Sequence, residues 1–319
     1  MKRLSPAETL AEAMERRPAL RPMLEAFAPL MEMRGALPAR LAEAVAQCGF
    51  RLPEWDDARA QAGETLLDRA ELSLLALPMQ EAATSLLPLL TAMPGMEEHT
   101  AKLMPFFMTD EGALRASRAL LDGDAEALER LAAEAGLPAP VLAFALENVL
   151  GAVVRAAVLC QWPSSPDSHY GPEDSPAPWD ERPASWMQGF CPVCGSAPSV
   201  SYLEEKIFDE KNAFASGGGG RKHLHCGLCG TEWHFRRGTC PACGKEEEGT
   251  LEMLREAEGA RGERVEWCTH CKSYCTGADL REREARPDMD AFALSLMHLD
   301  MAASQRGLTP LYPAFWNQF

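Results

Sequence analysis

Eight cysteines set as four C-x-x-C pairs are the residues of this chain best suited to chemistry: Cys191/Cys194, Cys226/Cys229, Cys240/Cys243 and Cys268/Cys271. Random placement of 11 cysteines over 319 residues gives roughly 0.4 such pairs, so four is a signal. Two thiolates at this spacing converge on one tetrahedral ion, and two such knuckles complete a four-thiolate site. The eight sulfurs are therefore the candidate ligands for two metal ions per chain. A disulfide framework belongs to short secreted chains that are cysteine-dense throughout. Here only Cys48 and Cys160 precede residue 190. The start, Met1-Lys2-Arg3-Leu4-Ser5-Pro6, is expected to begin a helix rather than a secretory signal, since no apolar run follows the basic pair. A thioredoxin-like redox pair needs a βαβ context around one C-x-x-C, and none is visible.

The residues around the pairs support metal binding. Cys191-Pro192-Val193-Cys194-Gly195 and Cys240-Pro241-Ala242-Cys243-Gly244 share a C-P-x-C-G pattern, in which Pro presets a turn and Gly accepts the positive φ that follows. Cys226-Gly227-Leu228-Cys229-Gly230 is a variant. Cys268-Thr269-His270-Cys271-Lys272 lacks both Pro and Gly and reads as the least regular knuckle. Which knuckles share an ion stays open at this level. Sequential pairing leaves loops of 31 and 24 residues and interleaved pairing leaves 45 and 38. Loop closure separates these two by only about 0.7 kcal/mol, and a nested arrangement comes out level with the sequential one.

Other reactive side chains carry plainer readings. His225 and His270 adjoin ligand cysteines, but four thiolates already close each site. Cys275 reads as a spare surface thiol, Cys48 and Cys160 as core residues. Trp233 and His234 read as packing over the metal module, Arg236-Arg237 as a solvated strand end, and Asp56-Asp57 and Glu246-Glu247-Glu248 as solvated loop charge. No nucleophile–base motif stands out, and Gly217–Gly220 lacks the Lys-Ser/Thr of a phosphate loop. No catalytic residue is assigned, and no enzyme is expected.

The elements that must position the cysteines fall into two halves. Residues 1–161 read as a helical domain, rich in Ala, Leu, Glu and Arg with apolar residues every three or four positions. Ser5-Pro6-Ala7-Glu8 gives a capping box, and Asp124 to Gly136 gives one clean helix. The prolines are expected to mark ends or first turns and to cut the domain into six to eight helices. Val141 to Cys160 is apolar, but Glu147, Asn148 and Arg155 within it argue for a buried helix and against stable membrane insertion. Residues 162–186 form a proline-rich linker. Residues 187–237 and 238–280 form two small metal-nucleated β modules, with strands near Ser199–Leu203, His223–His225, Glu232–Phe235 and Val265–Trp267. Residues 281–319 supply a final amphipathic helix over Pro287–Arg306, with Met289, Phe292, Leu296 and Leu299 on one face, and an aromatic tail.

Charge narrows the partner. The chain sums to −16, with −12 over residues 1–186 and −4 over residues 187–319. Nucleic-acid affinity is carried by clustered Lys and Arg, so no nucleic-acid partner is expected.

The stretch Trp186-Met187-Gln188-Gly189-Phe190-Cys191-Pro192-Val193-Cys194-Gly195 resembles the first metal knuckle of the formate dehydrogenase accessory proteins, the FdhE family. The block Leu224-His225-Cys226-Gly227-Leu228-Cys229-Gly230-Thr231-Glu232-Trp233-His234-Phe235, with Cys240-Pro241-Ala242-Cys243 and Cys268-Thr269-His270-Cys271-Lys272-Ser273-Tyr274, is similar to the rest of that family's cysteine region. The resemblance implies a mainly α N-terminal domain plus two small rubredoxin-like four-cysteine metal modules, an α+β multidomain chain. It implies sequential pairing and one ion per module, iron favoured and zinc possible. It further implies a cytoplasmic accessory protein that binds the formate dehydrogenase catalytic subunit before export. Two departures stand out: Tyr274 is followed by Cys275-Thr276, and Glu204 to Lys222 is longer than usual. The rival classes are an iron–thiolate electron-transfer or redox-sensing protein and a zinc-ribbon nucleic-acid module. The sequence does not set the oligomeric state.

Overall fold

The sequence begins its first helix where the capping chemistry places it. Ser5 caps α1 (Pro6–Arg16): its hydroxyl accepts from the Glu8 amide at 3.1 Å and the Glu8 carboxylate accepts from the Ser5 amide at 2.8 Å. Just before it, β1 (Lys2–Arg3) pairs parallel with a short strand far along the chain, β8 (Ala285–Arg286). The computed structural model describes residues 1–90, 93, 95–162, 185–204, 220–256 and 261–318.

Seven more α-helices follow in the N-terminal half among the described residues: α2 (Arg21–Gln47), α3 (Asp57–Gln61), α4 (Ala76–Leu90), α5 (Thr100–Phe107), α6 (Asp110–Leu121), α7 (Ala125–Glu134) and α8 (Ala139–Gln161). Helices α2, α4 and α8 pack on one another and form the centre of this layer. The prolines do not all mark ends. Pro29 and Pro38 lie inside α2 and Pro88 inside α4. An interior proline forfeits a backbone bond and costs about 3 kcal/mol. Helix α2 buries Leu24, Phe27, Leu30, Met31, Leu37, Leu41 and Val45, at about 1.5–3 kcal/mol each, so burial outweighs two prolines. Helix α8 is long and apolar enough to span a bilayer by length and composition, yet 78% of its most apolar window is buried inside the protein.

The second half is built on one sheet. Its strands are β2 (Pro198–Leu203), β3 (Lys222–Cys226), β4 (Glu232–Phe235), β5 (Leu251–Leu254), β6 (Glu263–Cys268) and β7 (Ser273–Asp279), in the order β4-β3-β2-β7-β6-β5. A short β9 (Thr309–Pro310) joins β7 beside its Ser273 end. The antiparallel ribbons β2–β3–β4 and β5–β6–β7 each carry one cysteine set. They merge because β2 pairs parallel with β7, Val200 opposite Thr276 and Leu203 opposite Asp279. The proline-rich stretch 163–184 and the glycine run 216–219 lie outside the described residues.

The end of the chain departs from the expected single amphipathic helix. Two short helices form, α9 (Met289–Ser295) and α10 (Met297–Ser304), broken at Leu296 with φ −88° and ψ 8°. All seven residues of α9 are buried, because α1 and α2 cover one side and β2 the other. A helix wedged between two layers needs no polar face. The tail then turns back to the helical layer, where Phe315 stacks on Phe144 with ring centroids 4.5 Å apart and Trp316 meets Phe27 edge-on at 5.8 Å.

Candidate metal centres

All four C-x-x-C segments fold into the same turn. The amide four residues after the first cysteine closes on that cysteine's carbonyl: Gly195 to Cys191 at 2.9 Å, Gly230 to Cys226 at 3.0 Å, Gly244 to Cys240 at 2.9 Å and Lys272 to Cys268 at 3.0 Å. The closing residue is left-handed each time, with φ of +76°, +71°, +71° and +63°. Glycine adopts this freely. Lys272 holds the same conformation without a glycine, so the knuckle that looked least regular in sequence is regular in backbone.

The four turns bring the eight sulfurs together as two cages. In the first, Cys191 and Cys229 Sγ lie 3.4 Å apart, Cys194 and Cys226 3.4 Å, and Cys194 and Cys229 3.6 Å. In the second, Cys240 and Cys271 lie 3.7 Å apart and Cys243 and Cys268 3.8 Å. A tetrahedral ion with metal–sulfur bonds of about 2.3 Å sets sulfur–sulfur edges of roughly 3.8 Å. Knuckles adjacent in sequence thus share a cage, which loop closure alone left open. No cysteine of the chain is in a disulfide.

The first cage is buried on every side: its four sulfur residues are at most 2% exposed. The helical layer holds both of its knuckles through the backbone. Leu66 and Leu67 amides donate to the Pro192 and Val193 carbonyls at 3.0 and 2.9 Å. Arg155 of α8 donates to the Leu228 carbonyl at 3.1 Å and to the Gly227 carbonyl at 3.2 Å, and Arg34 of α2 also donates to Gly227. Gly151 of α8 lies so close to this knuckle that an added Cβ would stand 2.5 Å from the Leu228 carbonyl oxygen. Asp290 of α9 closes the network, paired with Arg155 and with Arg34 at 3.3 Å and 3.3 Å from His225 Nε2. Burial alone would raise the Asp290 carboxyl, but Arg155 and Arg34 hold it well below the usual carboxylate range. Burial alone would lower His225, but Asp290 and Glu232 outweigh it and raise it to about 9.

Burial pushes the Cys191 and Cys226 thiols well above their ordinary value. The hydroxyl of Thr231 lies 3.1 Å from Cys229 Sγ, and the Cys229 amide 3.5 Å from Cys226 Sγ. Four convergent sulfurs with nearby donors fit a soft divalent ion, whose positive charge favours the thiolates that burial alone disfavours.

The second cage differs. Cys240 and Cys268 are buried, Cys271 is half-buried and Cys243 is exposed. His225 and His270 join neither cage: His225 belongs to the Asp290–Glu232 network, and His270 is exposed on the fourth knuckle. Trp233 is fully buried and donates to the Gln188 carbonyl at 3.2 Å. Three cysteine readings are corrected. Cys275 is no surface thiol; it sits in the central strand β7, where burial pushes it up to about 12. Cys48 is only half-buried, packed at the edge of the core, and Cys160 is exposed at the end of α8, where burial gives out in the last turn.

The sequence reading missed two arrangements. Arg34, Arg155 and Asp290 come from three distant segments, and their only local sign is charge inside apolar stretches. Glu256, Glu263 and His298 also place ligand atoms within 4.8 Å of one another. There Glu263 pairs with Arg16, Arg17 and Arg283, so guanidinium charge stands where an ion would.

A helical layer carrying a cysteine-ribbon sheet with two tetrathiolate cages defines the class of protein. Residues 190–237, which hold the first cage, match the family described as FdhE, central domain. The Protein FdhE homolog of Shewanella baltica (strain OS223) is 34% identical over 130 residues, 40% of this chain and 38% of that protein. The homolog of Aquifex aeolicus (strain VF5) is 33% identical over 123 residues, 38% of this chain and 39% of that protein. The match thus spans about two fifths of the length of these relatives. The crystal structure of the FdhE protein from Pseudomonas aeruginosa shares the fold, with a TM-score of 0.56 at 20% identity, covering 98% of this chain and 94% of that one. The central segment is thus similar in sequence to FdhE proteins, and the chain as a whole shares the fold of one of them.

Proposed function

We propose that this chain is a non-enzymatic accessory protein for formate dehydrogenase, binding its catalytic subunit in the cytoplasm before export. The observation that carries the reading is the coincidence of the FdhE central-domain match, residues 190–237, with the complete first cage. Cys191, Cys194, Cys226 and Cys229 hold one ion in this reading, and Cys240, Cys243, Cys268 and Cys271 a second. Iron is favoured by the family resemblance, and zinc satisfies the same donors. Four sulfurs leave no open coordination position, so the ions stabilise a shape rather than activate a substrate. That shape is a sheet held rigidly against the helical layer.

The test has two arms. Tagged full-length chain, recovered from cells making formate dehydrogenase, is expected to bring down the catalytic subunit and two metal ions per chain. Deleting its gene is expected to abolish formate dehydrogenase activity while the subunit is still made. Undiminished activity in the deletion strain would overturn the reading.

A further inference from the structure

We propose that the two cages do different jobs: the second is an exchange site, through which a thiophilic divalent ion enters and leaves at Cys243, and the first is a fixed structural centre. This rests on the reading that both cages hold ions.

A closed four-coordinate ion exchanges only when an entering ligand reaches it and one sulfur gives way. The two cages differ in both respects. Around the first, each knuckle's backbone is bonded to the helical layer, through Leu66 and Leu67 on one side and Arg34 and Arg155 on the other. The equivalent left-handed glycines measure the cover directly. A Cβ added at Gly195 would meet Thr65 at 3.5 Å, and one at Gly230 would meet the Arg155 guanidinium at 3.1 Å. At Gly244 of the second cage it would meet nothing within 4 Å.

The second cage has Cys240 and Cys268 buried, Cys271 half-buried, and Cys243 as its one exposed cysteine. Its second knuckle is pinned between strands, with the Thr269 amide on the Thr250 carbonyl at 2.9 Å and the Thr309 amide on the Lys272 carbonyl at 3.0 Å. Cys240 is buried, and its amide closes on Lys245 at 2.8 Å. Ala242, Cys243 and Gly244 form the open side of this cage, with Ala242 and Cys243 exposed. The step is a ligand substitution. With an ion held by the four sulfurs, a thiol or nitrogen chelator would replace the Cys243 thiolate at unchanged oxidation state, and the released sulfur would be protonated by solvent. The remaining three sulfurs hold the ion until a stronger chelator, or the next ion, completes the exchange.

The experiment uses the full-length protein loaded with zinc, mixed with excess 4-(2-pyridylazo)resorcinol and followed by absorbance. Maleimide pulses are mapped by peptide mass spectrometry, with exposed Cys160 as the free-thiol reference. The expected result is two phases of one ion each, the fast one at least tenfold faster, with Cys243 labelled before Cys191, Cys194, Cys226 and Cys229. Cys243→Ser is expected to remove the fast phase, leave the slow one and keep the circular dichroism spectrum. A single phase, first labelling in the buried cage, or an unchanged fast phase in Cys243→Ser overturns the proposal. Uptake of fewer than two ions before chelator is added overturns the two-ion reading itself.

Discussion

Arg155 and Asp290 form a two-point ion pair, with Nη2 to Oδ1 at 3.0 Å and a second, shorter contact, where α8, the Gly227–Leu228 turn and α9 meet. The Asp290 side chain is 9% exposed and faces Arg34 and His225 as well. One carboxylate thus balances several cationic groups in a buried space, and removing it leaves them uncompensated.

Asp290→Asn is therefore expected to destabilise the chain by about 3–5 kcal/mol, the range for breaking one side of a buried pair. Urea unfolding followed by circular dichroism measures it. A loss under about 1 kcal/mol would mean that water already screens the site. Arg155→Lys tests geometry separately, since one ammonium does not reproduce a fork that serves Asp290 and two carbonyls.

Asp300 makes a pH prediction. Burial raises its carboxyl from 3.8 to about 7, opposed by the Tyr274 hydroxyl, which donates to it at 2.9 Å. The folded state then binds this proton more tightly than the unfolded chain does. The contribution to stability is greatest below about pH 4, declines between 4 and 7 and is flat above 7. Asp300→Asn keeps an acceptor for Tyr274 and removes the charge. It is expected to stabilise the chain by up to about 4 kcal/mol at pH 8 and negligibly at pH 4. A gain equal at both pH values would contradict the assignment.

Much of this architecture is legible in the residues, and the limits have physical causes. Ser5 and Glu8 fix the first helix locally, and the strand Glu232–Phe235 is read to the residue, because capping and β-propensity act at short range. Strand β7 escapes, since Gly277 and Asp279 are poor strand formers and pairing with the distant strands β2, β6 and β9 holds it. All eight cage sulfurs are visible as spacing, but their partition is not, because loop entropy barely separates the pairings. The Arg34–Asp290 contact spans 256 positions, and only the folded chain brings the two together.

Lys272 tests the knuckle turn. It sits at φ +63°, a conformation that costs an L-residue about 1–2 kcal/mol and glycine almost nothing. Its ammonium also lies 5.3 Å from the Trp267 ring, an exposed contact worth about 0.5–1 kcal/mol. Lys272→Gly is expected to gain up to about 1 kcal/mol, and Lys272→Ala to lose stability, because it gives up the ring contact and keeps the strain. Equal effects of the two in thermal unfolding would show that backbone strain is not what the position feels.

Gly151 carries the last prediction, which concerns coupling between the layers. It lies within α8, where Ala is favoured over Gly by roughly 1 kcal/mol on propensity. An isolated helix would therefore gain from Gly151→Ala. In this chain the added Cβ would stand 2.5 Å from the Leu228 carbonyl oxygen, inside contact distance of backbone that cannot swing away. Either α8 or the Cys226–Gly230 turn must shift, and that turn places two of the four sulfurs of the first cage. Overpacking of this kind costs about 1–3 kcal/mol, which outweighs the propensity gain and makes the net effect destabilising. The same shift lengthens the Arg155 contacts to Gly227 and Leu228. Gly151→Ala is thus expected to lower the thermal midpoint and also to speed chelator release of the slowly exchanging ion, while the fast phase is unchanged. A variant that unfolds earlier yet releases that ion at the normal rate would show that the helix and the cage are neighbours without being coupled.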